Sequence, residues 1–299
     1  MIKETSKIII GCIAVCLLAA AGGICYQRNQ QHLAQTAGHA VPFIVEQKPD
    51  VAFVGDDFSL PPADNDKPVY DKYTIAERKA KGLPLTYGKT REYYYGDHVV
   101  YLTFDDGPNK ANTEKILQIL KEENIHATFF LTGQNVRLYP DVVKEIYQSG
   151  NAIGVHSYTH DYKKIYASPQ AYIDELLQTD TLIYNAIGVR PVISRAPGGT
   201  QGHFTPAFWQ AIQDIGYIEV GWNALTGDAD GTGKTAEKEI ANVKNQMALR
   251  PYLHSHLVIL MHDASGHEAT VEALPTIISM LKEQGYTFRV VTTAIPPSW

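Results

Sequence analysis

The chain has 299 residues, of which 44% are apolar, and it carries a formal net charge of −6 at neutral pH. This length and apolar content are enough for one large folded domain with additional segments. The negative charge, together with the lack of any basic cluster, excludes the usual basic type of nucleic-acid-binding protein.

An apolar run without charged residues occupies positions 8–26, between Lys7 and Arg28. Its length is close to the ~20 residues that a membrane-spanning helix needs. Lysines before the run favour a cytoplasmic N-terminus and place everything after the run outside the cell. We therefore expect residues 1–27 to form a cytoplasmic tip and a single transmembrane anchor, with the catalytic part extracellular. A signal peptide cleaved near residues 19–21 is the alternative, and the protein would then be secreted.

The three cysteines, Cys12, Cys16 and Cys25, all lie within this apolar run. The part of the chain expected outside the cell therefore contains none. A disulfide, a catalytic thiol and a zinc–thiolate site are excluded for that part.

The next segment, residues 28–91, is polar and rich in proline, and it has no sustained periodicity. Such a composition is typical of a linker, and it predicts an extracellular stem. Within it, the pattern predicts a short helix around residues 75–81, ended by Gly82.

From residue 92 to residue 299, short β-rich runs alternate with helical patterns. The predicted strands are 98–104, 126–131, 151–155, 192–194, 217–222, 257–261 and 286–291. The predicted helices are 112–123, 140–149, 168–187, 205–214, 235–248 and 269–284. This alternation indicates parallel strands joined by right-handed crossovers, arranged as a (β/α) barrel of about seven strands or as an open doubly wound sheet.

Ionisable or aromatic side chains follow five of these predicted strands. They are Asp105 and Asp106, His156 and His160, Arg195, Trp222 with Asp228, and His262 with Asp263. Active sites of (β/α) barrels are built at the carboxyl ends of the strands. The positions of these residues therefore favour the barrel over the open sheet and predict an active site at that end.

Two histidines four residues apart, His156 and His160, become a metal-binding set when another strand end supplies a carboxylate. Adjacent residues at a strand end point in opposite directions, so Asp105 and Asp106 are expected to differ in role. One would bind the metal, and the other would accept a proton from water. A redox iron centre uses similar ligands, but nothing else in the sequence indicates oxygen chemistry.

The remaining candidates surround this set. Arg195 is expected to pair with the free aspartate and keep it ionised, with a surface salt bridge as the alternative. Gly198 and Gly199 allow backbone N–H groups to approach a substrate, or they simply form a tight turn. His262 is a candidate general acid because it follows a buried run.

Eight other histidines are interpreted as structural, with His203 singled out because it follows the glycine pair. They are His32, His39, His98, His126, His203, His254, His256 and His267.

The motifs TFDDG, HSYTH, RAPGG, WNALTGD and LMHD occur in this order. Together they resemble the polysaccharide deacetylases of carbohydrate esterase family 4, which carry the NodB homology domain. The resemblance covers roughly residues 92–293. In particular, the chain resembles membrane-anchored peptidoglycan deacetylases. The resemblance implies an irregular (β/α) barrel and a divalent metal ion, usually Zn²⁺.

The resemblance also implies a role for each matching residue. It gives Asp105 as the catalytic base and His262 as the general acid, with Arg195 tethering the base. The metal ligands would be Asp106, His156 and His160. The substrate-binding set would be Pro197, Gly198, Gly199, Trp222 and Leu260, with the backbone of Gly198 in the oxyanion hole and the side chains of Trp222 and Leu260 around the acetyl methyl group.

Two of these motifs depart from the family pattern. Many members carry an aromatic residue where this chain has Gly198, so the groove is expected to be more open there. Many also carry an aspartate at the place of Leu225, thought to tune the acid histidine, and an aromatic residue at the place of Ala229. We expect Asp228 to take over the tuning of His262.

The predicted function is metal-dependent removal of N-acetyl groups from a cell-wall polysaccharide, with N-acetylglucosamine of peptidoglycan as the expected substrate. Alternatives within the class are N-acetylmuramic acid, and chitin or O-acetylated xylan. A glycoside hydrolase is disfavoured because two adjacent aspartates do not form an acid–base pair across one glycosidic bond. An inactive wall-binding module is disfavoured by the intact metal-binding set.

Overall fold

Strands and helices alternate along most of the chain in the computed structural model. The structure describes residues 49–88, 90–231, 234–250 and 255–297. All of them belong to one compact unit, Lys48–Trp299. The predicted transmembrane segment at residues 8–26 lies outside the described residues. Within the described ranges, no helix combines the length and the apolar character needed to span a membrane.

The strands are β1 (Ala52–Phe53), β2 (Val69–Asp71), β3 (Val99–Asp105), β4 (Thr128–Thr132), β5 (Ala152–Ser157), β6 (Arg190–Pro191), β7 (Ile193–Ser194), β8 (Ile218–Glu219), β9 (Ala224–Leu225), β10 (His256–His262) and β11 (Thr287–Phe288). The helices are α1 (Ile75–Lys81), α2 (Lys110–Glu122), α3 (Gly133–Leu138), α4 (Pro140–Gln148), α5 (Tyr162–Ile165), α6 (Pro169–Ile187), α7 (Pro206–Asp214), α8 (Ala236–Leu249) and α9 (Glu268–Glu283).

Among the residues that the structure describes, the main sheet has eight strands, and all of its pairings are parallel. Seven strands follow one another in the order β8-β7-β5-β4-β3-β10-β9, and β11 pairs with the start of β3. Among the described residues, β8 and β9 at the two ends are not paired with each other. The predicted α/β class with parallel strands is confirmed, and this half-barrel of parallel strands fits the predicted (β/α) barrel.

Alternate residues of β3 face two different layers. Val100 and Leu102 pack in the large core cluster that includes the helices, whereas Tyr101 packs in a smaller cluster formed by strand and loop residues. Side chains alternate between the two faces of a strand. Thr103 and Asp105 therefore share the inner face with Tyr101, and β3 delivers Asp105 to the interior at its carboxyl end.

The predicted elements from residue 92 onward agree with the observed ones to within a few residues. The shortest elements of this region, among them α3, α5 and β9, were not predicted. The predicted helix at 75–81 is confirmed as α1. It begins with a capping box between Thr74 and Glu77 and ends at Gly82, whose φ is 66°. Glycine adopts this left-handed conformation without the steric cost of a Cβ.

The second half of the predicted stem packs on the domain. β1 pairs with β2, and β2 pairs antiparallel with β6, which follows α6. The guanidinium of Arg78 is fully buried and binds both carboxylate oxygens of Asp71, at 2.6 and 3.0 Å. Arg190 of β6 lies 3.4 Å from the same carboxylate. Residues 49–88 therefore belong to the same unit as the predicted catalytic domain.

Candidate active site

The site lies where the parallel strands end. Asp105 is the last residue of β3, and its register partner on the neighbouring strand is His262, the last residue of β10. His156 lies near the end of β5, and Arg195 directly follows β7. The alignment of parallel strand ends thus brings residues that are far apart in sequence to one edge of the sheet.

Asp105 forms a buried ion pair with Arg195. The Nη1 atom of Arg195 lies 2.8 Å from Oδ1 of Asp105 and 2.7 Å from Oγ1 of Thr103. The guanidinium also donates to the backbone carbonyls of residues 220 and 221 and packs over the ring of Phe130, 4.2 Å from its centroid. Burial raises the pKa of Asp105, and the charge of Arg195 opposes that increase. The carboxylate is therefore fixed in orientation and is a stronger proton acceptor than an exposed aspartate.

The Oδ1 atom of Asp106 faces two imidazoles. It lies 3.4 Å from Nε2 of His156 and 3.3 Å from Nε2 of His160. The other ring nitrogen of His156 is hydrogen-bonded to the backbone carbonyl of Arg195 at 2.8 Å, which directs Nε2 towards Asp106. Desolvation lowers the pKa of His156 to about 3, so its imidazole is neutral near pH 7 and able to bind a metal.

This trio fits a divalent cation. Oδ1 of Asp106 is buried and has no hydrogen-bond partner among the residues that the structure describes. An unpaired buried carboxylate oxygen is costly, and a cation held between it and the two imidazoles would remove that cost. The donor atoms of the three residues lie within 4.8 Å of one another. One carboxylate and two histidines are a set that leaves coordination positions open.

The loop that carries His160 is held by a residue that sequence reasoning missed. Glu175, on α6, accepts hydrogen bonds from the backbone N–H groups of Tyr158 and Thr159, at 2.9 and 2.6 Å, and from the Thr159 hydroxyl. His160 itself adopts a φ of 55°, which is uncommon for a residue with a Cβ. Glu175 thus stabilises the backbone that directs His160 towards Asp106.

Glu219 holds the start of the segment 195–199 in place. This buried glutamate accepts hydrogen bonds from the backbone N–H of Ala196 and from the Ser194 hydroxyl. Desolvation raises its pKa to about 7. In the same segment, the Tyr166 hydroxyl donates to the carbonyl of Pro197 at 2.6 Å. Sequence reasoning missed both supports, because they come from other parts of the chain.

Gly198 and Gly199 form a turn with left-handed backbone angles, φ 70° and 85°. Pro197 precedes this turn, and Trp222 lies beside Gly199. The guanidinium of Arg195 lies 5.7 Å from the centre of the Trp222 ring. The predicted substrate-binding residues at 197–199 and 222 therefore lie together.

Leu260 lies in β10, two residues before His262, and is partly exposed. The two-residue period of a strand places it on the same face as His262. Leu225, the residue that departs from the family pattern, is its register partner in β9. Leu225 is therefore part of the sheet and contributes no carboxylate to the site.

Asp228 is the carboxylate that contacts His262. Its Oδ1 lies 2.9 Å from Nδ1 of His262, and its Oδ2 accepts the backbone N–H of His262 at 2.7 Å and the Thr270 hydroxyl at 3.0 Å. Burial by itself would lower the pKa of His262, but the hydrogen bond and charge of Asp228 outweigh it and raise that pKa to about 9. The imidazole is therefore protonated near pH 7, and Nδ1 is occupied by Asp228.

Sequence reasoning grouped His267 with the structural histidines, but the structure places it in the site. Its ring stacks on that of His262, with centroids 5.1 Å apart, and its Nδ1 lies 3.4 Å from Asp228. His203, the other histidine singled out, stacks on Tyr166 with ring centroids 4.1 Å apart. No local motif predicts the contacts with Asp228 and Tyr166, because these partners are distant in sequence. The stacking of His267 on His262 depends on the turn between β10 and α9.

The sequence model of the family described as "Polysaccharide deacetylase" matches residues 93–220. The chain is 36% identical over 190 residues to a peptidoglycan-N-acetylglucosamine deacetylase of Bacillus cereus, covering 64% of this chain and 68% of that protein. A second Bacillus cereus protein with the same name is 30% identical over 217 residues, covering 71% of this chain and 95% of that protein.

Two solved structures agree with these relatives. The catalytic domain of a peptidoglycan N-acetylglucosamine deacetylase from Eubacterium rectale aligns with a TM-score of 0.62 and 32% identity, covering 71% of this chain and 96% of that one. A Streptococcus mutans CE4 esterase aligns with a TM-score of 0.62 and 28% identity, covering 71% and 94%.

The fold and the site define a hydrolase of the deacetylase class, and the chain belongs to the polysaccharide deacetylase family. The resemblance stated from the sequence motifs is confirmed.

Proposed function

We propose that this enzyme removes the N-acetyl group from N-acetylglucosamine units of peptidoglycan and releases acetate. The observation that carries the proposal is the arrangement of three groups at one edge of the sheet. A buried aspartate held by Arg195, an Asp–His–His set and a protonated histidine lie next to one another. The names of the relatives from Bacillus cereus and Eubacterium rectale support the choice of substrate.

Asp105 is the proposed base. Its Oδ2 lies 3.9 Å from Nε2 of His156, so it is adjacent to the metal-binding set without belonging to it. Arg195 fixes the carboxylate by binding Oδ1, which leaves Oδ2 to accept a proton from the attacking water. The raised pKa of Asp105 strengthens it as an acceptor.

Asp106, His156 and His160 would hold the metal, and Zn²⁺ suits this set of nitrogen and oxygen donors. When bound, a divalent cation supplies Lewis acidity towards the acetyl carbonyl and towards water. The residues themselves contribute a neutral imidazole at His156 and the carboxylate of Asp106. The backbone N–H at Gly198 is proposed to donate a hydrogen bond to the developing oxyanion.

His262 is the proposed general acid. Its Nδ1 is bound to Asp228, so Nε2 is the nitrogen that remains to donate a proton to the departing amine. The C–N bond breaks as the amine receives this proton. The products are acetate and a free amino sugar, with one water consumed.

The proposal is tested by measuring acetate released by the full chain with zinc from peptidoglycan fragments, and from chitin oligomers and acetylated xylan in parallel. The Asp105→Asn variant serves as the blank, because it keeps the metal-binding set but lacks the base. Acetate from the wall fragments that is absent in the blank supports the proposal.

Mass spectrometry of the wall product then identifies the sugar that lost its acetyl group. Loss from N-acetylmuramic acid would overturn the proposed sugar while keeping the reaction. Acetate from xylan alone would replace it with an ester substrate. No acetate from any of these substrates, with zinc bound, would overturn the proposed reaction.

We also propose that the enzyme acts outside the cell and is held at the membrane through residues 8–26. The uncharged apolar run and the lysines before it support this location. Fractionation of cells that express the full chain tests the proposal. Recovery from the membrane after a high-salt wash is expected, whereas recovery in the medium would indicate a cleaved signal peptide.

A further inference from the structure

An aromatic side chain occupies the space beside Gly198. A Cβ added at Gly198 would lie 2.6 Å from the hydroxyl oxygen of Tyr162 and 2.9 Å from Cε1 of its ring. At the next residue of the turn, a Cβ at Gly199 would lie 3.0 Å from Cη2 of Trp222. An aromatic side chain therefore lies close to each of the two glycines.

Tyr162 is one of the large exposed aromatic side chains. It is 43% exposed, and its ring packs edge-on against His160 of the proposed metal set, with centroids 5.5 Å apart. Only one residue, Asp161, separates Tyr162 from His160 in the chain. An aromatic face that is open to solvent thus lies directly beside the proposed metal site.

The ring is held on a stack of further aromatic side chains. Tyr166 and His203 stack with centroids 4.1 Å apart, and both rings lie within 6 Å of the Tyr162 ring, at 5.9 and 5.8 Å. Asp161 caps the short helix α5 by accepting the backbone N–H of Lys163 at 3.0 Å. This support limits the orientations of Tyr162 before a ligand binds.

We propose that Tyr162 binds a sugar ring of the polysaccharide by stacking, in the place where Gly198 leaves the turn without a side chain. The ligand is the pyranose next to the unit that loses its acetyl group. A pyranose presents an apolar C–H face that packs on an aromatic ring, and tyrosine supplies such a face at a low entropy cost. The proposal rests on the proposed action on a polysaccharide.

The test measures binding rather than turnover. The full chain with zinc, carrying Asp105→Asn to prevent hydrolysis, is titrated calorimetrically with the tetramer of N-acetylglucosamine. Adding Tyr162→Ala is expected to weaken binding about tenfold or more, whereas Tyr162→Phe keeps the stacking face and binds within about twofold of the parent. Tyr95→Ala, at a tyrosine that is 72% exposed, is the matched control and should bind like the parent.

Zinc content and melting temperature are measured for each variant, so that a loss of binding is assigned to the ring and not to a damaged site. Equal binding by Tyr162→Ala and the parent would overturn the inference. A loss with Tyr162→Phe as large as that with Tyr162→Ala would overturn stacking in favour of a hydroxyl contact. No binding by the parent would also overturn it. Tetramer binding that depends on the Tyr162 ring, without acetate release by the unmutated enzyme, would support the inference while the proposed function fails.

Discussion

His262 and Asp105 are register partners on neighbouring parallel strands, each at the last position of its strand. The two strands start together, since His256 pairs with Val99, and the pairing continues without a shift to the end. Neighbouring strands lie about 4.8 Å apart. The sheet therefore sets the distance between the proposed base and the proposed acid, and short loops do not have to maintain it.

Replacing the carboxylate beside His262 should shift the pH dependence of activity. The pKa of His262 is raised to about 9 through Asp228, so its protonated form is present below that pH and is lost as pH rises through it. Asp228→Asn removes the negative charge, and the alkaline limb of kcat/KM should move down towards the ordinary histidine pKa of about 6.5. We expect kcat at neutral pH to fall about 100-fold.

Asp141→Asn, on the exposed face of α4, is the control for this measurement and should leave the profile unchanged. An unshifted alkaline limb in Asp228→Asn would show that a group other than His262 determines the pH at which activity is lost.

Removing one imidazole of the proposed metal set should reduce metal content. His156→Ala deletes a buried ligand whose second nitrogen is already oriented by a backbone carbonyl. Zinc measured after dialysis should fall from about one equivalent to near zero, and acetate release should fall with it. His126→Ala, at an exposed histidine, should retain both. Full zinc content in His156→Ala would contradict the assignment of this residue.

The ion pair between Arg195 and Asp105 should contribute to stability as well as to catalysis. Arg195→Met leaves the buried Asp105 carboxylate without its arginine partner. Breaking a buried pair in this way is expected to lower the free energy of unfolding by about 3 kcal/mol. Urea unfolding monitored by fluorescence gives the value, with Arg137→Met on α3 as the comparison. A loss below about 1 kcal/mol would indicate that water reaches Asp105 and replaces the arginine.

The folded part of the predicted stem should be required for a stable domain. Arg78 is fully buried, and besides Asp71 its guanidinium binds the backbone carbonyls of residues 55, 56 and 84. Arg78→Met is expected to cost about 3 kcal/mol because it leaves the Asp71 carboxylate and these carbonyls without this donor. Lys79→Met, one position along on the exposed side of α1, should cost less than about 0.5 kcal/mol.

A chain shortened to start at residue 92 tests the same point. It should melt at a lower temperature than a chain that starts at residue 48. Equal melting temperatures would mean that the small sheet β1-β2-β6 does not stabilise the domain.

The parts of the fold that could be predicted from the sequence are those with a long, regular pattern. β3 and β10 are seven-residue strands made mainly of apolar residues. α6 is capped by Ser168 at its start, has a proline at its first position, and is capped by Gly188 at its end. The small sheet was not predicted, because β1, β2 and β6 have only two or three residues each. Its stability comes from tertiary contacts such as the pair between Arg78 and Asp71, which have no local signature.

The same distinction applies to the site. Motif order was sufficient to group Asp105, Asp106, His156, His160 and Arg195, because each lies at or just after the end of a strand and the strands are parallel. The neighbourhood of His262 was predicted only in part. Asp228 was expected as its partner, but His267 was not, because its stacking depends on where α9 begins relative to β10. The catalytic and binding roles of the individual residues stay predictions until the variants above are measured.

The turn at Gly198 couples the side chain at position 198 to the place of the Tyr162 ring. A side chain at 198 would have to adopt a left-handed backbone and would collide with the hydroxyl of Tyr162. In its present position the Tyr162 ring fits because residue 198 lacks a Cβ. A side chain at 198 would therefore require the exposed Tyr162 ring to move, and the sugar-binding face proposed for that ring would move with it.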